Sequence, residues 1–160
     1  MPRATPNSRR GPRVDYRALA DLRYQIRRFL RLREVAARAV GVEPQQYLLL
    51  LQVKGLEGSG SATIGTLAER LQITHHAVVQ LVNRLARRHM VERQRDQRDR
   101  RGVVVELCPA GEGVLRRLAL YSLAELKSEG PALVSSLRRL IMKSTRNRRR
   151  LRPPQRRRTR

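Results

Sequence analysis

"RQRDQRDRRGVVVELCPAG", residues 93–111, crowds Arg and Asp into its first half and turns apolar at Val103-Val104-Val105. A charged disordered segment has no use for three valines at its end. "HMVERQR" before the charges and "RGVVVEL" after them both read as short strands, rich in the β-branched residues that fit a pleated surface. "DQRDR" between them is then the loop of a hairpin, longer than the two-residue kind.

What lies upstream decides what that hairpin is for. "TIGTLAERLQITHHAVVQLVNRLARRHMVER" splits into two helices of about eight and fourteen residues around the break "QIT". Thr63 can cap the first and Thr74 the second, each offering a side-chain oxygen to free backbone N–H groups. Leu67, Ala68 and Leu71 face inward on the first helix; Ala77, Val78, Leu81 and Leu85 do so on the second. This is a helix-turn-helix, and a hairpin directly after one is a wing. The charged loop is the wing tip, and the valines belong to the strand that holds it.

Outward from this core, the chain continues in helices. Residues 1–13 are rich in Pro, Arg, Ser and Asn and read as a disordered basic arm. From Asp15, Leu19, Leu22, Ile26, Phe29, Leu30, Ala36, Ala37 and Val40 recur at helical spacing. Gly41 suits a left-handed cap, and Pro44 the first turn of a second helix, "PQQYLLLLQVKG", apolar enough to be buried on most sides. "EGSGS" is a flexible loop. "CPAGEGVLRRLALYSLAEL" starts another helix with Pro109 in its first turn, and "EGP" at 129–131 is expected to break it. Leu133, Val134, Leu137, Leu140 and Ile141 form a further helical stripe. The expected fold is mainly α with a small β-wing. A winged helix-turn-helix occupies 57–108, N- and C-terminal helices (14–56 and 109–142) form a dimerisation region, and a disordered Arg-rich tail follows from 143 to 160.

The 160 residues suit one domain, with 40% hydrophobic residues but only 3% aromatic, so the core is built from Leu, Val and Ala. Formal net charge is +23. Residues 1–13 carry four Arg and residues 143–160 ten Lys/Arg, neither with an acid; the 22 basic residues between them meet all 13 acidic ones. A basic body with basic ends predicts a polyanionic partner. The single cysteine, Cys108, excludes an internal disulfide. No apolar run is long enough to span a membrane, and no apolar stretch follows the N-terminal charges, so a cytoplasmic protein is expected.

Three stretches resemble the MarR (multiple antibiotic resistance regulator) family of transcriptional regulators. "TLAERLQIT" is similar to its first helix-turn-helix helix and turn, and "AVVQLVNRLARRHMVER" to its recognition helix running into the wing. "DRRGVVVELCPAGEGVL" resembles its D-x-R wing signature, with the strand and helix start behind it. The resemblance covers roughly residues 15–142. It implies a homodimer in which the first and last helices interlock with those of a second copy. The apolar stripe at 133–141 independently calls for a covering partner. The family's usual Thr is replaced by Cys108, His75-His76 stand where small or polar residues often lead the recognition helix, and the Arg tail is not a family feature.

With the back of the recognition helix packed, His75, His76, Val79, Gln80, Asn83 and Arg87 face outward. Gln80 can pair bidentately with adenine, His can reach guanine N7 or phosphate, and Val79 can touch a thymine methyl. Arg84, Arg87 and Arg88 suit phosphate, which positions without specifying. Thr74 stands at the same helix start. The wing tip offers Arg98, Arg100 and Arg101 to a narrow, negative minor groove. By resemblance Arg101 is the wing arginine and Asp99 the acid that orients it. The plain alternative for each is an exposed residue without a DNA contact.

A dimer is expected to bind a near-palindrome in double-stranded DNA with half-sites about one helical turn apart. A small aromatic or phenolic effector in a cleft lined by Tyr24 and Tyr47 would change the spacing of the recognition helices; each Tyr can equally be an ordinary core residue. No cofactor or metal is expected. His75 and His76 are adjacent and diverge by about 100° on a helix, so they cannot grip one ion together, and no catalytic motif is present. The alternatives are a non-specific nucleic-acid or nucleoid-type binder driven by the Arg tail and, more remotely, a membrane-surface protein using the basic helix from 15 to 40.

Overall fold

The computed structural model describes residues 14–58, 60–95 and 103–150, with backbone alone from 143 onward. Among the described residues, five helices and one hairpin follow in order: α1 (Tyr16–Ala39), α2 (Pro44–Leu56), α3 (Ile64–Leu71), α4 (His75–Ala86), β1 (Val91–Arg95), β2 (Val103–Leu107) and α5 (Pro109–Arg150). They form two compact units: Leu30–Lys127, and a second drawn from the chain up to Phe29 and from Ser128 onward.

The larger unit owes its shape to local sequence signals. Gly41 adopts a positive φ of 73° after α1, a conformation that costs glycine nothing. Pro44 opens α2, and the Gln46 side-chain oxygen accepts the Glu43 N–H at 3.1 Å. Thr63 Oγ1 accepts the Thr66 N–H at 3.1 Å and Thr74 Oγ1 the Ala77 N–H at 3.2 Å, so both threonines cap as their positions predict. Between them Gln72 turns the chain with a left-handed φ of 55°.

Leu49, Leu50, Leu67, Val78, Val82 and Leu85 are fully buried at the centre of this unit. Each contributes roughly 1.5–3 kcal/mol through burial. Val82 is missing from the inward set the sequence suggests, whereas Ala77 and Leu81 are only half-buried. The expectation that α2 is buried on most sides is corrected: Leu48 and Leu51 are 37% and 38% exposed, so only one face is covered.

β1 and β2 pair antiparallel, with Val91 opposite Leu107 and Arg93 opposite Val105. The hairpin is anchored from the side. Val105 N–H donates to Ala62 O at 3.0 Å, and Thr63 bridges Val104, so the residues before α3 act as a third strand position. Nothing in their composition marks them as strand; their backbone groups are recruited by the free edge of β2.

In the smaller unit α1 and α5 run antiparallel. Arg28 meets Glu129 at 2.8 Å and Asp21 meets Arg139 at 3.4 Å. Asp15 Oδ1 accepts the Ala18 N–H at 3.0 Å and starts α1. Two expectations are corrected here. "EGP" does not break the last helix, which continues through Pro131. A proline forfeits one hydrogen bond and crowds the preceding turn; the backbone nevertheless stays helical across it, with Gly130 buried and Glu129 paired to Arg28. The helix also runs beyond Lys143 to Arg150, where the composition suggests a disordered tail.

Candidate nucleic-acid interface

α4 presents two chemically distinct faces. Val78, Val82 and Leu85 are buried and define the back. At about 100° per residue, His76, Gln80, Asn83 and Arg87 lie opposite them. His76, Gln80 and Arg87 are exposed, and Asn83 is half-buried. Arg84 is exposed to one side of this stripe and Val79 half-buried on the other. Thr74 caps the helix, leaving the first-turn N–H groups as a partial positive charge beside the two histidines.

His75 departs from the stripe. A β-carbon placed on Gly65 would lie 3.7 Å from His75 Nε2, so this imidazole leans toward the start of α3. Of the adjacent pair, His76 faces outward.

The base of the hairpin meets the stripe from the side. Arg93 Nη2 on β1 donates to Asn83 Oδ1 at 2.6 Å. Gln80, Asn83, Ala86, Arg87 and Arg93 line an open concavity of about 580 Å³. Arg93, which the sequence reading did not single out, lines the same concavity. Its spacing from Asn83 carries no helical or strand periodicity, and only the turn through His89, at φ 52°, brings the two together. Outward of Val91, the residues Glu92–Arg95 are all exposed, as an edge facing a polar partner should be.

A helix-turn-helix with a capped, polar-striped second helix and a two-stranded wing is thus in place over the middle of the chain. The MarR family model matches residues 40–102. Over these residues the chain resembles a MarR-family winged helix-turn-helix. The solved structures it is similar to agree. AbsC, a MarR family transcriptional regulator from Streptomyces coelicolor, aligns at TM-score 0.66 and 18% identity, over 86% of this chain and 97% of that one. Wild-type MarR from E. coli aligns at 0.62 and 20%, over 82% and 96%. A mutant of S. aureus MepR bound to an oligodeoxyribonucleotide aligns at 0.57 and 18%, over 85% and 96%. At these identities the likeness is one of fold. No curated protein sequence matches the chain.

The remaining expected residues divide. Arg98, Asp99, Arg100 and Arg101 lie outside the described residues. Tyr47 is 5% exposed, and its hydroxyl is within 3.2 Å of Ser122 Oγ, so it is a core residue with its polar end satisfied. Tyr24 is exposed and belongs to the smaller unit, whereas Tyr47 belongs to the larger. Beside Tyr47, Arg33 donates to Ser122 O at 3.2 Å, and burial pulls its guanidinium below the usual arginine range, partly offset by Tyr47, Glu125 and Tyr121. Cys108 donates its backbone N–H to Met90 O at 3.0 Å at the end of β2, a structural position. Among the described residues, no cluster of three or more His, Cys, Asp or Glu could hold a metal ion, and no helix is long and apolar enough to cross a membrane.

Proposed function

We propose that the chain is a sequence-specific double-stranded DNA-binding transcriptional repressor that acts as a homodimer on a near-palindromic operator. The observation that carries this reading is the outward stripe of α4, with His76, Gln80, Asn83 and Arg87 backed by the buried Val78, Val82 and Leu85. Such a helix is held by the domain and offers amide, imidazole and guanidinium groups to a major groove. Thr74, His75, Val79 and Arg84 flank it. The wing, with Arg98, Arg100 and Arg101 and with Asp99 orienting Arg101, enters the neighbouring minor groove. The solved MepR complex with an oligodeoxyribonucleotide supports DNA as the ligand of this fold.

Dimerisation through α1 and α5 is supported by apolar side chains left uncovered in the smaller unit. Leu19, Ile26, Val134, Leu137 and Ile141 are all more than a third exposed. Apolar surface on this scale marks an interaction site. Release of the operator by a small aromatic or phenolic effector completes the proposal.

The second reading is non-specific nucleic-acid binding through the C-terminal arginines. It is favoured by the continuation of α5 to Arg150, which carries five basic residues from Lys143 on a helical backbone. Binding-site selection from a random duplex pool, with polyanion competitor at near-physiological salt, separates the two. A near-palindrome enriched by the full chain, retained by a chain ending at Lys143 and weakened by Arg101→Ala, is the expected result. Binding without enrichment, lost with the tail, sinks the regulator reading.

A further inference from the structure

The concavity between α4 and the hairpin assigns a role to Asn83 that its place in the stripe conceals. Arginine has hydrogen-bond donors and no acceptor. The Asn83 atom that Arg93 Nη2 approaches at 2.6 Å must therefore be the carbonyl oxygen, which fixes the orientation of the amide. With one lone pair of its oxygen engaged by Arg93, Asn83 keeps its NH₂ group wholly unengaged, beside an oxygen that a cation already crowds. Bidentate recognition of adenine needs the amide oxygen and nitrogen together. The Arg93 guanidinium at 2.6 Å occupies one lone pair of the oxygen half of that pattern and biases Asn83 toward donating.

The groups that remain around the concavity are mostly donors. Arg93 has further N–H groups beyond the one given to Asn83, and Arg87 lies one turn along the same helix face. Two guanidinium groups and an amide NH₂ converging on an open cleft match the tetrahedral, acceptor-only oxygens of a phosphodiester. Among the described residues, no carboxylate lines the cleft to compete for them.

We infer that Asn83, Arg87 and Arg93 form a clamp for one phosphate of the DNA backbone, with Arg93 as the residue that turns Asn83 from a base reader into a phosphate donor. This rests on the DNA-binding reading above and refines it. Base readout on α4 then falls to His76 and Gln80, whose register on the groove edge the clamp sets.

The full chain and three variants, Asn83→Asp, Arg93→Ala and Gln80→Ala, test this on the duplex selected by the wild type and on a scrambled duplex. Asn83→Asp keeps an acceptor for Arg93 but removes the NH₂ donor and repels phosphate. It is expected to weaken both duplexes by the same factor, roughly tenfold or more, with the selected motif unchanged. Arg93→Ala is expected to weaken both and to make the log–log salt dependence shallower by about 0.9, the signature of one lost phosphate contact. Gln80→Ala is expected to alter the motif instead. Thermal melting of each variant separates these effects from loss of fold. A changed base preference at one motif position in Asn83→Asp, with scrambled-duplex affinity intact, overturns the clamp, as does an unchanged salt slope in Arg93→Ala. Wild-type protein that binds duplexes without selecting a motif refutes the regulator reading alone, because the clamp is still scored on the scrambled duplex. Failure to bind either duplex refutes both.

Discussion

Gly111, in the first turn of α5, lies against the Met90 carbonyl with no room for a side chain between them. A β-carbon on Gly111 would collide with the Met90 backbone, whose oxygen also accepts the Cys108 N–H. This contact seats the last helix on the end of α4 and the first strand. A β-carbon on Gly113, two residues on, would meet nothing within 4 Å, so Gly113 shares the helix but not the constraint.

Gly111→Ala is therefore expected to destabilise the protein by about 2–3 kcal/mol, because backbone rather than a flexible side chain must move. Gly113→Ala is expected to be neutral or to stabilise by up to about 1 kcal/mol through helix propensity. Denaturant titration of the pair checks this; equal effects would refute the close approach.

Pro131 interrupts the hydrogen-bond ladder of a continuous helix. Pro131→Ala restores the missing N–H donor at an exposed position and is expected to raise stability by about 1–3 kcal/mol. A drop in thermal midpoint would mean that the ring has a packing role.

Burial raises the Cys108 thiol above its ordinary range, and the Glu92 carboxylate pushes in the same direction. A raised value means less thiolate at any given pH, and thiolate is the reactive form. Alkylation of Cys108 by iodoacetamide at pH 8 is expected to be slower than that of free cysteine, and to accelerate only at higher pH. A rate equal to free cysteine contradicts this.

Lys54 joins the end of α2 to α5 by pairing with Glu112 at 2.6 Å and with Glu57 at 2.7 Å. These hydrogen bonds raise its ammonium above the ordinary value of 10.5. The folded state thus favours the charged form, and the stabilisation is complete below pH 10.5 and lost as pH rises through the raised value. The pair is exposed, so the effect is small. Lys54→Met is expected to be less stable than wild type at neutral pH and to converge with it in strong alkali. A gap that persists there assigns the effect to packing instead.

Much of this protein was decided by its sequence alone. The Thr63 and Thr74 caps, the Gly41 turn, the Pro44 start and the hairpin around the charged loop are local matters, set by which backbone groups a neighbouring side chain can satisfy and which φ angles a residue tolerates. The front and back of α4 also follow from periodicity, with Val82 the one core position overlooked. Tertiary structure decided the rest. "EGP" stays helical where Glu129 meets Arg28 and Gly130 is buried, contacts that local propensity does not contain. Residues 62–63 pair with β2 only because its edge stands beside them. Arg93 reaches Asn83 only through the fold of the intervening turn, and that contact fixes how the Asn83 amide is oriented. Local signals act through the chain; these three act across it, and their energies exist only once distant segments are side by side.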